Sequence, residues 1–550
     1  LATAGEIATN AGQIEPSRTA PMDWTATAGW FVLGVVTLLV FATFRDYGIS
    51  WDELLQNTYG EKLIAFYASG FQDVSAFDYS NLYLYGGLFD MVADILNRVS
   101  PFGEYETRHL LGGLVFVAGL LGGWRLAELL GGKRAGLIAL VCLATTPLLY
   151  GHSFINPKDS PFAWLTLWAI YYGCRILEKP HAPDRTALIG FAVSLGLALG
   201  TRVMAFALLA YLGAIFTALA WTQAHKNRAA SVLGITCDAA RLCLRVAAYL
   251  PLTLIIMAFF WPWSVTAPFN VVDALKTFSH FTWQPKVLWN GELVPSGHLP
   301  PIYLTRLLML QLPEHVLAGL ALTIGFAALR IRNTGLDMRD ARQRQYAMVV
   351  LAAAVPLIGF AILRPVVYNG VRHFLFVVPP LVILGALGID RLYAAAAAKG
   401  QVLAAATVGV FLAAGIAWQG AELIELHPYE YVSYNVFEGG ITGAEKSFEL
   451  DYWGTSLGEA SRGLVSYIDK NHVGPAAPKV FVCGDRMSAA YFLPKSISIT
   501  EKRDEADYFI GINDPPCRDH FENPRDAVFA VQRNGVTLGY VMDLRASKTP

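Results

Sequence analysis

The sequence predicts a mainly α fold: a polytopic transmembrane helical bundle of about 11 spans, carrying a small C-terminal α/β extracytoplasmic domain. Three observations carry this reading. Hydrophobic residues make up 54% of the 550-residue chain and charged residues only 15%, with mean hydropathy +0.42, whereas a soluble domain carries about a quarter charged residues. Apolar runs of about 18 residues or more recur through the first 420 positions. Past position 420 the composition turns polar and strand-like. The net charge of -1 offers no electrostatic footprint for nucleic acid.

Residues 1–24 read as a cytoplasmic tail. They are small and polar and lack the basic, apolar, small-residue order of a cleavable leader. Hydropathy then places spans at 25–44, 109–129, 134–150, 160–177, 186–200, 203–221, 242–260, 309–329, 346–363, 373–391 and 401–420. The run 186–221 is apolar enough for one helix, but Thr201 and Arg202 divide it, because a lone arginine in mid-bilayer is costly. Residues 25–420 thus form a transmembrane domain, 421–455 a neck and 456–550 the small α/β domain. In the last, strand-like runs fall at Lys479–Cys483, Ser496–Thr500, Asp507–Ile512, Ala527–Gln532 and Val536–Leu544, with a helix at 486–493. Asn534-Gly535 marks a hairpin between the final two strands.

Orientation follows from basic loops. Lys133 and Arg134; Lys226, Arg228, Arg241 and Arg245; Arg330 to Arg344; and Arg391 and Lys399 all fall on one side if the count holds, and that side is the cytoplasm. The opposite face of a bacterial inner membrane receives the long loops 45–108 and 261–305, short loops near 151–159 and 364–372, and the C-terminal domain. Cys142, Cys174, Cys237 and Cys243 lie in or beside spans without metal-ligand spacing. Cys483 and Cys517 either pair, if their side is oxidising, or remain two free thiols.

Candidate chemistry gathers in the outer loops. Asp52 and Glu53 follow the first span, and Leu55, Tyr59, Leu63 and Phe66 recur at helical spacing behind them. This predicts a helix over 53–68 lying flat in the interface and holding both carboxylates above the membrane; a solvated acidic loop is the alternative. The second outer loop compresses His152, Asn156, Lys158 and Asp159 into a short link, where Asp159 or Ser160 before Pro161 also suits a helix cap. Arg202 ends the fifth span, and Tyr368, Arg372 and His373 precede the tenth. Guanidinium groups at a lipid–water boundary suit a phosphate, although arginines at span ends also snorkel. Trp261, Trp263, Trp283 and Trp289 form either an interfacial belt or stacking surfaces for sugar or prenyl chain. His280, His298 and His315 fit no metal-site spacing, and structural roles are the simpler reading.

These residues resemble the GT-C superfamily, in the branch of protein O-mannosyltransferases, lipid A aminoarabinose transferases and related bacterial mannosyltransferase-like proteins. The resemblance rests on an ordered set: Asp52-Glu53 after the first span, Asn156-Pro157-Lys158-Asp159, Tyr368-Asn369-Gly370-Val371-Arg372-His373-Phe374, and the neck motifs His427-Pro428-Tyr429-Glu430-Tyr431 and Glu449-Leu450-Asp451-Tyr452-Trp453-Gly454. It spans nearly all of 25–455. It implies a glycosyltransferase that moves a sugar from a polyprenyl-phosphate donor to a glycolipid, polysaccharide or protein acceptor, with inversion. It further implies Asp52 as base, Glu53 as its neighbour, Asp159 as a second acidic site residue, and Lys158, Arg202 and Arg372 as donor-phosphate ligands. His152, Asn156, Tyr368 and His373 would line the substrate. A divalent cation is optional for this chemistry, since a lipid phosphate leaves without a nucleotide.

Two other classes compete. A transporter or flippase of a lipid-linked substrate would place ionisable groups in mid-span and relate two halves by symmetry; the sequence has few such charges and no repeat. A scaffold of an envelope assembly would tolerate neutralisation of the acidic pair.

Overall fold

The computed structural model describes residues 23–226, 231–279, 284–471, 477–518 and 527–545. The expected N-terminal tail up to residue 22, and Arg228, His280 and Trp283, lie outside the described residues.

Helix α1 (Trp24–Thr43) starts from Asp23, whose side chain accepts the Ala26 amide. Loop 45–108 holds α2 (Glu53–Ala68) and α3 (Leu88–Asn97). Next come α4 (Glu104–Gly131), α5 (Lys133–Ala144), α6 (Pro147–Ile155), α7 (Asp159–Glu178) and α8 (Arg185–Leu199). After a 3-10 turn at Val203–Phe206 follow α9 (Ala207–Lys226), α10 (Val232–Ala247), α11 (Leu250–Phe260) and α12 (Asn270–Ser279). A hairpin of β1 (Lys286–Trp289) and β2 (Glu292–Pro295) precedes α13 (Tyr303–Gln311), α14 (Glu314–Thr334) and α15 (Ala341–Leu363). A 3-10 segment Arg372–Val377 leads into α16 (Val378–Ala398), and α17 (Val402–Leu426) closes the bundle.

Helices stand at all eleven expected positions, but not all are spans by length and apolarity. Among the described residues seven helical stretches qualify alone, and nine if the bent pairs α5–α6 (59°) and α10–α11 (48°) each cross once. Helix α8, at 15 residues, reaches only about 22 Å against a hydrocarbon core of about 30 Å. Helix α16, continuing from Arg372, is central, with 89% of its apolar window buried, whereas α17 has 11% buried and lies at the rim. The contact of α16 with α14 is backbone to backbone: a Cβ on Gly319 would stand 2.1 Å from the Gly385 carbonyl oxygen, the close approach that small residues allow between membrane helices.

Three local expectations change. Helix α2 forms over 53–68 as expected, but its buried face is Gln56, Asn57, Tyr59, Gly60, Leu63 and Phe66, while Leu55 is exposed. That face packs on α3, which a Cβ at Gly60 would prevent by meeting the Asp90 carbonyl at 2.4 Å. The second outer loop is mostly helix α6, begun by Pro147. In loop 261–305, Asn290 and Gly291 both take positive φ (51° and 84°) and turn the β1–β2 hairpin, the same dipeptide signal that was read only at Asn534-Gly535.

The neck carries α18 (Gly440–Ala444) and delivers the chain to α19 (Ser456–Asn471). Beyond it lie β3 (Lys479–Cys483), α20 (Arg486–Phe492), β4 (Ser498–Thr500), β5 (Tyr508–Ile512), α21 (Pro515–Arg518), β6 (Ala527–Arg533) and β7 (Val536–Asp543). The sheet order is β4-β3-β5-β7-β6, parallel on the β4-β3-β5 side and antiparallel on the other. Asn534 and Gly535 take φ of 47° and 79° and turn the β6–β7 hairpin, as the sequence predicts. Cys483 and Cys517 form a disulfide that ties the end of β3 to α21.

Basic loops meet at one end of the bundle. Arg134 pairs with Asp390 at 2.5 Å, and Arg344 donates to the carbonyls of Leu177, Glu178 and Met338. The motif residues of the outer loops meet at the other end.

Candidate active site

Breaks in helices position the charged groups. Between α6 and α7 the chain turns on Asn156, whose Oδ1 accepts from the amides of Lys158 (3.3 Å) and Asp159 (2.8 Å). Lys158 holds the N-cap position and Asp159 is the first residue of α7, so Asn156 supplies the side-chain acceptor from two residues before the cap. Its amide Nδ2 donates to Asp159 Oδ2 at 3.2 Å and lies 3.1 Å from His152 Nδ1. Donation to Nδ1 leaves the imidazole proton on Nε2, which meets the Tyr452 hydroxyl at 3.0 Å. Arg202 sits in the break after α8 and pairs with Asp159 Oδ1. Asp159 is thus committed through both oxygens and is 3% exposed.

Asp52 differs from the other two carboxylates. It opens α2, its side chain is 27% exposed, and its Oδ2 lies 3.2 Å from Arg372 Nη1 and 4.0 Å from Lys158 Nζ. Burial pushes its pKa up, but Arg372, Lys158 and Arg202 together outweigh burial and hold it below the ordinary carboxylate value. Glu53 is 1% exposed. Its Oε2 accepts the Ser50 amide at 2.7 Å, and its own amide donates to the Ser50 carbonyl at 3.1 Å, closing the turn before α2. Its Oε1 lies 3.0 Å from His109 Nε2, within ion-pair range but off the hydrogen-bond line.

Aromatic rings wall the cations. Arg372 lies over Tyr368 (4.8 Å) and Trp453 (4.6 Å), and Lys158 lies over Tyr85 (4.3 Å). His373 meets Tyr368 edge-on at 4.8 Å. The structure therefore brings together Asp52, Lys158, Asp159, Arg202, Arg372, Tyr368 and His373, with His152 and Asn156 behind them and Glu53 beneath.

Sequence reasoning missed several members. Gln56, one turn after Asp52, bridges Lys158 Nζ (3.2 Å) to Asp90 Oδ2 (3.3 Å) in the amide orientation that satisfies both. Asp90 is buried against the fully buried Arg108 at 2.5 Å. Burial raises the Asp90 pKa to about 6 in spite of Arg108. Glu53 and Gln56 at i, i+3 was a legible signal for one helix face; the Asp90–Arg108 pair, 18 positions apart, had none. Tyr452 and Trp453 stood in the quoted neck motif but were not placed at the site.

Among the described residues no group of three or more His, Cys, Asp or Glu side chains clusters as a metal-binding set. Asp52, Asp159 and Asp90 each already face a cation, a donor arrangement that does not fit a divalent ion. His298 and His315 stand apart from it, His315 buried in α14 against Gly415.

Residues 102–265 match the family model of dolichyl-phosphate-mannose-protein mannosyltransferases. The matched stretch runs from α4 through α11 and includes His152, Asn156, Lys158, Asp159 and Arg202. Among solved structures the chain is similar to ArnT from Cupriavidus metallidurans, in its apo and undecaprenyl-phosphate-bound crystals, at 14% identity and TM-score 0.47 over 94% of this chain and 98% of that one. It is also similar to the Archaeoglobus fulgidus oligosaccharyltransferase at 11% identity and TM-score 0.47, over 88% of this chain and 65% of that one. No curated protein matches the chain.

Proposed function

We infer that the chain is a membrane glycosyltransferase that takes a sugar from a polyprenyl phosphate and passes it to an acceptor hydroxyl or amine on the extracytoplasmic face. The observation that carries this is Asp52, a water-accessible carboxylate ringed by Lys158, Arg202 and Arg372. Three cations against Asp52 and Asp159 leave an excess of positive charge, which suits a lipid phosphate. In the displacement, the acceptor oxygen or nitrogen attacks the anomeric carbon while Asp52 takes its proton. The bond from that carbon to the phosphate oxygen breaks, and the lipid phosphate leaves against the cations, which lower the barrier by stabilising its growing charge. In-line attack inverts the anomeric centre.

Asp159 acts through Arg202, which it holds in place, and Glu53 acts through the start of α2. Lys158 and Arg372 are shared between Asp52 and the incoming phosphate. Donor binding draws them away from Asp52, so the base strengthens when its substrate is present. The Cys483–Cys517 bridge supports an oxidising compartment for the C-terminal domain, and the basic loops at the far end support a cytoplasmic location there.

The test is transfer from a panel of radiolabelled polyprenyl-phosphate sugars to a membrane extract, by the purified full chain and by Asp52→Asn. We expect transfer from at least one donor, falling by about 10²–10⁴-fold in the variant with its melting profile unchanged. Equal rates would remove Asp52 as base. Lipid movement across vesicles without sugar transfer would establish the flippase reading instead.

A further inference from the structure

We propose that the end of the bundle opposite the candidate active site holds one anionic diacyl phospholipid, headgroup on Arg330, Arg342 and Arg391 and acyl chains along the groove between α14 and α17. Two adjoining cavities make this site. The first, of about 600 Å³, lies among α4, α14, α15 and α16, and its lining includes Arg330, Arg342, Tyr346, Asp390 and Arg391. The second, of about 730 Å³, lies among α14, α16 and α17 and is lined by Ala321, Leu322, Leu329, Ile389, Val408 and Phe411 among other apolar side chains. Phe326 lines both, and the Arg391 guanidinium sits over its ring at 5.5 Å. A compartment that carries three arginines therefore adjoins a wider apolar one across a single aromatic ring, the division of an amphiphile.

Charge complementarity fixes the headgroup sign. Asp390, the acidic residue lining the first cavity, is paired with Arg134 at 2.5 Å, and Asp340 offsets Arg330 at 2.6 Å, so the excess positive charge of the lining rests on Arg342 and Arg391. Basic pockets between membrane helices select phosphate headgroups, each Lys or Arg contributing roughly fivefold. The groove opens toward lipid, since Leu329 is 55% and Phe411 47% exposed. Gly325, on its floor, has no atom within 4 Å of where a Cβ would stand. Arg391 lies 13 positions past the start of α16, about 20 Å along the helix from the segment that holds Arg372, so this pocket is separate from the candidate active site.

The experiment is native mass spectrometry of the full chain in detergent, titrated with dioleoyl phosphatidylglycerol and, separately, with dioleoyl phosphatidylcholine. We expect at least tenfold tighter retention of the anionic lipid, and loss of that preference in Arg330→Gln/Arg342→Gln/Arg391→Gln. Because Arg330 also pairs with Asp340, Gly325→Leu is the second variant. It fills the apolar compartment, leaves every charge in place and improves helix propensity, and it lowers retention of both lipids. Equal retention of the two lipids by the wild-type chain, or unchanged retention by both variants, overturns the proposal. So does displacement of the lipid by low-millimolar glycerol phosphate, which would show that the acyl chains contribute nothing.

Discussion

Asp52 and Asp159 have the same side chain and opposite circumstances. Asp159 has both oxygens engaged, one by Asn156 and one by Arg202. Asp52 keeps contact with water and shares its cations. This difference predicts a pH signature. In the proposed mechanism, protonation of Asp52 below its folded-state pKa removes the base, so activity should fall as pH falls through that value. In the free protein the value lies below the ordinary carboxylate pKa of 3.8. In the proposed mechanism the donor phosphate engages Lys158 and Arg372, which should raise it. The acid limb of kcat, which reports the donor-bound protein, should therefore sit at higher pH than the acid limb of kcat/KM. Coincident limbs would show that donor and Asp52 do not share cations. Arg372→Lys should raise KM for the donor more than it lowers kcat, since a point charge replaces a planar fork.

At the scale of elements, the site is built from places where helices stop. The α6–α7 turn, the break after α8 and the 3-10 segment before α16 expose backbone and charge that a continuous helix would hide. Asn156 holds the first of these with four contacts. Asn156→Ala should cost about 1–2 kcal/mol of stability, as loss of a side-chain acceptor at a helix start does, and should lower transfer further by freeing Asp159 and the His152 ring. Thermal melts beside single-turnover rates separate the two effects; a stability loss without a rate loss would make Asn156 purely structural. Much of this layout was legible. Arg202 in an apolar run forecast the break beside it, because burial of a lone charge is costly. The Asn156-to-Asp159 cluster forecast a polar turn. What was not legible came from contacts distant in sequence: the burial of Glu53 against His109 and the Asp90–Arg108 pair depend on how α2, α3 and α4 pack. The span count differed because the sequence reports apolarity, while α7 and α8 are short or polar helices covered by protein.

At the scale of the molecule, the C-terminal domain docks on the outer end through polar contacts. Arg533 donates to the His427 carbonyl (2.8 Å), the Tyr429 hydroxyl donates to Glu459 Oε2 (2.9 Å), and the Tyr491 hydroxyl donates to Glu106 (3.0 Å). The neck continues into the site through Tyr452 and Trp453. Opening the Cys483–Cys517 bridge, across a sequence separation of 34, should cost this domain about 3 kcal/mol. The expected readout is an earlier melting transition for Cys483→Ala/Cys517→Ala while the bundle's transition stays in place. A single unchanged transition would mean that bundle and domain unfold as one unit, or that the bridge adds little.

The neck has a consequence for how the molecule is made. Tyr47 donates to Glu430, 383 positions later, the Trp51 amide donates to the Trp453 carbonyl, and a Cβ at Gly48 would strike the Thr455 carbonyl oxygen at 2.0 Å. The loop that bears Asp52 leaves the ribosome early, yet its backing arrives only when the last helix of the bundle has been inserted and the neck has crossed behind it. A nascent chain halted anywhere before Trp453 holds the Asp52 loop without the neck contacts that back it.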